Sequence, residues 1–232
     1  MWPGVRGTRK YGDAMAVGGG SSPLLMHDIA LGHRLVAGAE EAGRGCLAGP
    51  IVAAAVCIDF ARLDDDGLRD LAALDDSKRL TARRRAALVG VVMRRARQVV
   101  VVSASARSID ARGLHATNIH IMASAIAALD PAPGVALVDG FALGDAAPPH
   151  RRLVKGDATS AAVAAASVIA KEARDRLMRG PAAAAHPGYG FDGHVGYITQ
   201  AHTAAVRELG PCPLHRLSFR SSAYGDDLTL FD

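Results

Sequence analysis

The chain has 232 residues, half of them hydrophobic and 4% aromatic, with a formal net charge of +4. That length can bury one substantial core, and no charge-free apolar run reaches the roughly 18 residues of a membrane-spanning helix. Cys46, Cys57 and Cys212 are odd in number and form no CxxC pair, which argues against a disulfide framework or a cysteine zinc site and for a reducing, cytoplasmic setting.

Residues 1–33 read as a disordered leader, rich in glycine and serine at 18–22, whose short apolar run at 23–26 cannot form a signal-peptide core. Residues 34–180 read as the main domain and 181–232 as a helical or irregular appendage packed on it. Strands are expected at 34–39 and 51–60, both short and almost continuously apolar, as in central strands buried on both faces. Residues 63–74 read as loop and a short helix. A helix follows from Thr81, a plausible N-cap, to about Arg97. Between Lys78 and Arg97 lie eight basic residues and no acidic one, the electrostatic footprint of a nucleic-acid contact or a solvated helix face. The low aromatic content favours a partner held by its backbone over one held by base stacking.

The tetravaline run at 99–102 is the clearest strand. A short helix or turn at 109–115 and a longer helix at 118–129 precede a fourth strand at 135–138, which delivers Asp139. A fifth strand at 152–155 leads to Gly156 and Asp157, and a long alanine-rich helix spans 160–178. A helix is expected at 199–209 and irregular chain from 211 on. The pattern is that of an α/β domain with a mixed sheet.

Four carboxylates stand at strand ends: Glu40 and Glu41 after the first, Asp139 after the fourth, Asp157 after the fifth. Open α/β sheets build their sites there, and converging carboxylates suit Mg²⁺ or Mn²⁺. Two such ions can stabilise both the attacking and the leaving oxygen of a phosphoryl displacement. Neighbours on a flat strand face opposite ways, so Glu40 and Glu41 share a site only if the chain is already turning there. Gly43-Arg44-Gly45 follows at once, where glycine allows close backbone approach and the guanidinium is a bidentate phosphate donor. The competing readings are a solvated turn for this stretch, a turn opener for Asp139 and a dipole-favouring charge for Asp157. No P-loop or GxGxxG motif is present, which removes a generic nucleotide-phosphate enzyme.

In order along the chain stand AGAEEAGRGCLAGP, LDDSKRLT, TNIHIMASAIAAL, ALVDG, LVKGDATSAAVAAASVIAKEARDRLM, HPGYGFDGHVGYIT and GPCPLHRLSF. Together these resemble bacterial ribonuclease HII over about 36–219. The resemblance implies a ribonuclease H-like, five-stranded mixed sheet flanked by helices, with a helical C-terminal part. It implies cleavage of the RNA strand of RNA·DNA hybrids, and nicking 5′ to ribonucleotides embedded in duplex DNA, by Glu40, Glu41, Asp139 and Asp157 holding two divalent ions, Mn²⁺ or Mg²⁺. Gly43, Arg44 and Gly45 are implied to read the RNA–DNA junction, Tyr197 (Tyr189 if the match slips) to stack on the following deoxyribose, and Ser77, Lys78 and Lys155 to contact phosphates. The expected state is a monomer with no membrane association. His194 and His202 flank Tyr197 and read as surface groups, while the His215–Arg216 pair matches the family without a chemical role. The family's first carboxylate is an aspartate where this chain has Glu40, whose extra methylene leaves open an alternative: hybrid binding with impaired cleavage.

Overall fold

The computed structural model describes residues 22–74, 81–145 and 147–224. Its centre is the expected five-stranded mixed sheet, formed by β1 (Leu35–Ala42), β2 (Ile51–Asp59), β3 (Gln98–Ala104), β4 (Val135–Asp139) and β5 (Arg151–Leu153) in the order β3-β2-β1-β4-β5. The three strands β1, β2 and β3 pair antiparallel, while β4 and β5 join in parallel with β1. All nine residues of β2 are buried, as its continuous apolar run requires of a strand covered on both faces.

One face carries α6 (Ala161–Leu177), together with α1 (Pro23–Ala30), α2 (Asp65–Leu71) and α3 (Ala82–Arg95), over a core that includes Val36, Val56, Ile58, Leu88 and Val163. The other carries α4 (Ala106–Arg112) and α5 (Leu114–Ala127) over Ala37, Ala39, Ala55, Ile121 and Met122. A third cluster around Phe191, Met178 and Leu47 joins the C-terminal segment to the loop after β1. It includes Val206 of α9 (Gln200–Leu209).

The alanines of α6 let the helix lie directly on β1. A Cβ placed on Gly38 would fall 2.1 Å from the Ala162 carbonyl carbon, so only glycine fits beneath the helix. That contact fixes the height of α6 over the strand that carries Glu40.

Several expectations change. β1 does not stop before its carboxylates; Glu40 and Glu41 are paired within it, opposite Ala54 and Ala53. β5 ends at Leu153, and Lys155 sits in a turn with a left-handed φ of 55°. α1 lies within the stretch expected as a leader, and its buried Asp28 caps α6, accepting from Ser160 Oγ (3.0 Å) and the Ala162 N–H (2.9 Å). These contacts satisfy N–H groups that a helix start otherwise leaves orphaned. The basic stretch is split in use. Arg85 pairs with Asp175 of α6, and Arg95 with Asp70 of α2, whereas Arg83 and Arg84 are exposed. Among the described residues no helix is long and apolar enough to cross a membrane.

Candidate active site

The strand register fixes which carboxylates meet. Ala39 pairs with Val138 in parallel, so Glu40 and Asp139 are adjacent at the ends of neighbouring strands. Both follow residues of alternating facing that place them toward α6, while Glu41 faces α5. β1 runs straight through both residues, so the pleat sends Glu40 and Glu41 to opposite faces, yet they stay close enough for the Glu41 charge to act on Glu40.

Asp139 accepts a hydrogen bond from the Gly156 N–H, which ties the end of β4 to the single 3₁₀ turn Gly156–Ala158. Asp157 is buried in that turn, three residues ahead of the Ser160 cap of α6. Its position near the start of a long helix favours a negative charge. The four carboxylates thus come from β1, β4 and the turn before α6, all at one end of the sheet.

Electrostatically this end is unbalanced. Glu40 is 4% exposed, and its Oε2 is buried without a hydrogen-bond partner. Burial, followed by the charges of Asp139 and Glu41 and then by contact with Asp139 and the charge of Asp157, pushes its pKa up to about 10. Glu41 is also raised by burial, against the opposing influence of Asn118 and Arg44. The buried Asn118 amide draws the Glu41 pKa down, yet neither of its polar atoms reaches hydrogen-bond geometry with any group. A carboxylate held in this way requires a proton or a cation. An all-oxygen donor set with an unsatisfied buried oxygen fits a hard divalent cation. It is not a preformed cage, for among the described residues no three His, Cys, Asp or Glu side chains are arranged to hold a metal. Mg²⁺ commonly uses one or two carboxylates and takes its remaining ligands from water and substrate phosphate.

The loop after β1 separates two glycine roles. Gly43 has φ +92°, and an added Cβ would fall 2.0 Å from Arg174 Nε, so the fold itself requires glycine there. Gly45 is exposed, and an added Cβ would meet nothing within 4 Å. Packing within the chain does not explain Gly45. Between them, the Arg44 guanidinium lies 4.5 Å over the Phe141 ring, and its Nη1 is buried without a partner.

The two tyrosines also differ. Tyr197 is 40% exposed, with Lys171 Nζ 5.0 Å from its ring centre. Tyr189 is 9% exposed, stacked on Phe191, and donates its hydroxyl to the Gly210 carbonyl. Of the two, only Tyr197 exposes its ring. Lys155 is exposed beside the Gly156–Ala158 turn, while Ser77 and Lys78 lie outside the described residues.

Three residues, Asn118, Phe141 and Arg174, escaped the sequence reading, and a fourth, Arg216, was matched to the family without a role. Asn118 lay unremarked inside a predicted helix, and Phe141 in a predicted loop. Arg174 is fully buried and spans the loop, donating to the carbonyls of Pro50 (3.0 Å), Ala48 (3.0 Å) and Val195 (2.9 Å). Its signal was available: Ala170, Arg174 and Met178 recur every fourth residue on one stripe of the helix, and a charge there implies buried acceptors. Arg216 is likewise fully buried.

A family model described as ribonuclease HII matches residues 37–222. Ribonuclease HII of Mycobacterium avium (strain 104) is 50% identical over 184 residues, covering 79% of this chain and 77% of that protein. Ribonuclease HII of Brucella suis (strain ATCC 23445 / NCTC 10510) is 49% identical over 190 residues, covering 81% of this chain and 83% of that protein. The crystal structure of ribonuclease H2 from Pyrococcus horikoshii OT3 shares the fold, with a TM-score of 0.68 at 24% identity over 82% of this chain and 95% of that one. With the family model spanning the carboxylate end, the glycine-arginine loop and the C-terminal cluster alike, the chain belongs to the ribonuclease HII family and is a ribonuclease H.

Proposed function

We propose that the enzyme hydrolyses the RNA strand of RNA·DNA hybrids and nicks duplex DNA 5′ to embedded ribonucleotides, leaving 5′-phosphate and 3′-hydroxyl ends. Glu40, Glu41, Asp139 and Asp157 would hold two divalent ions, Mn²⁺ or Mg²⁺. The observation that carries this reading is the buried, partnerless Oε2 of Glu40 beside Asp139. When bound, the ions would supply a water activated for attack and charge stabilisation on the phosphate.

The chain's own groups would orient the duplex. Gly45 leaves backbone open to the ribose 2′-hydroxyl, the group that distinguishes RNA from DNA at a junction. Arg44, its guanidinium plane set by Phe141, would take the adjacent phosphate. Tyr197 would stack on the following deoxyribose, and Lys155, with Ser77 and Lys78, would grip flanking phosphates. Comparing an all-DNA duplex, the same duplex with one ribonucleotide, and a continuous hybrid tests the proposal, with end mapping and with chelator. Nicks on the 3′ side of the ribonucleotide, or cleavage that persists in chelator, would contradict it.

One observation favours a second reading, hybrid binding with impaired cleavage. Glu40 carries one more methylene than the family aspartate, and it is hemmed in by Asp139. Assaying the chain beside Glu40→Asp in each metal separates the two readings. Equal Mg²⁺ rates would remove the second.

A further inference from the structure

The His215–Arg216 pair takes no part in the chemistry above, yet His215 is 2% exposed and Arg216 is fully buried. Arg216 donates from Nε (3.1 Å) and Nη2 (3.0 Å) to the Gly49 carbonyl and from Nη1 (3.0 Å) to the Arg44 carbonyl. It therefore grips both ends of the loop that presents Arg44 and Gly45. His215 works in the other direction, through His202.

The protons of this pair can be assigned from the network. The Tyr197 carbonyl, 2.8 Å from His202 Nδ1, can only accept, so His202 carries its proton on Nδ1. Its bare Nε2 faces His215 Nε2 at 3.1 Å, and that nitrogen must donate. His215 Nδ1 is then free to accept from the Cys212 N–H at 2.9 Å. The alternative, in which His215 Nδ1 donates to the Cys212 carbonyl at 3.3 Å, would set two bare nitrogens against each other. Both rings are neutral, and burial lowers the proton affinity of each. His194 is stacked on His202 at 4.2 Å; its Nδ1 accepts from the Gly196 N–H and its Nε2 donates to the Tyr189 carbonyl.

We propose that His215 and Arg216 are positioning residues for the ribonuclease reaction: Arg216 sets the Arg44–Gly45 loop, and His215, through His202, sets the backbone of Tyr197. One dipeptide thereby fixes the separation of two elements that approach the duplex from different segments. The inference rests on the reading of Arg44, Gly45 and Tyr197 as substrate contacts.

The test uses the full chain carrying His215→Phe, His215→Gln or Arg216→Lys. Lysine keeps the charge but lacks the planar fork that reaches two carbonyls. Glutamine keeps a donor near the Nε2 position. Two quantities are read: KM and kcat on a duplex with one ribonucleotide, and amide hydrogen exchange at 43–50 and 196–203. His215→Phe and Arg216→Lys are expected to raise KM by roughly 10- to 100-fold, the scale of an ångström-level misplacement. They should speed exchange in those two segments while β1 and β2 stay protected, and His215→Gln should recover most of both effects. Unchanged exchange in both segments overturns the inference whatever the activity, and so does faster exchange throughout the sheet. Faster local exchange with an unchanged KM supports the positioning role and overturns the substrate reading of the loops instead. If His215→Phe does not fold, His202→Asn, which keeps a donor to Tyr197 but removes the acceptor for His215, reads the same relay.

Discussion

The two ends of the site are built on opposite principles. At the carboxylate end, Glu40 is buried beside Asp139 with an oxygen that finds no donor, so that region is incomplete by itself. At the C-terminal clamp, Arg174 and Arg216 are just as buried, but each spends its donors on backbone carbonyls, and His202 and His215 close a continuous chain of donors and acceptors. An unpaired buried charge destabilises a fold, whereas a fully satisfied buried network rigidifies it. On the proposed reading, chemistry belongs to the unsatisfied end and placement to the satisfied one.

The largest way to break this contrast is Asp139→Asn. Cleavage should fall by roughly 10³-fold or more, because a metal's stabilisation of transition-state charge is worth several kcal/mol. At alkaline pH, where Glu40 is ionised, the melting temperature of the metal-free protein should rise, because the amide removes a charge that opposes Glu40. A thermal scan without metal, run beside a cleavage assay, checks both halves. A lower melting temperature would mean that the carboxylate end is not under electrostatic tension.

Next, Glu40→Asp should raise the Mg²⁺ rate, by up to about 10²-fold if the extra methylene misplaces the carboxylate by an ångström. The gain should be smaller with Mn²⁺. Parallel rate measurements in the two metals decide this.

The two loop glycines should then separate. Gly43→Ala forces a side chain into a left-handed backbone and onto Arg174, and is expected to destabilise by about 1–3 kcal/mol in a denaturant titration. Gly45→Ala, whose Cβ would meet nothing, should leave stability within about 0.5 kcal/mol while raising KM on the ribonucleotide-bearing duplex.

The smallest effect is on pH dependence, where the two regions have opposite signs. Glu40 rises from about 4.5 unfolded to about 10 folded, so its contribution is full below pH 4.5 and is lost as pH climbs toward 10. His215 drops from 6.5 to about 4, so its contribution is full above pH 6.5 and is lost as pH falls toward 4. Metal-free melting curves of Glu40→Gln and His215→Gln should therefore flatten opposite limbs of the stability profile.

The fold was largely legible because it is written in patterns of period two and three to four. The apolar runs of β1 and β2 and the alanine face of α6 state their burial directly, while the valines of the edge strand β3 are only half-buried or exposed. The place of Asp139 at the end of β4 was legible for the same reason, whereas Asp157 lies beyond β5 in the 3₁₀ turn before α6. What escaped depends on partners distant in the chain. Arg174 bonds to Ala48 across 126 residues and Arg216 to Gly49 across 167; the helix stripe marks Arg174 as buried, but which carbonyls it meets is not written locally. The chain does not turn at Glu40 and Glu41, because pairing with β2 carries the strand on through Ala42. The helix around Asp28 was hidden in low-complexity surroundings, since its role as a cap for α6 exists only after the chain has folded.

The most direct test of the central claim is cleavage of a duplex that carries a single ribonucleotide, with the nick mapped at nucleotide resolution in Mn²⁺, in Mg²⁺ and in chelator. The expected result is one nick, 5′ to the ribonucleotide, with 3′-hydroxyl and 5′-phosphate ends, and none in chelator. Tight binding of that duplex with no nick in either metal would contradict it.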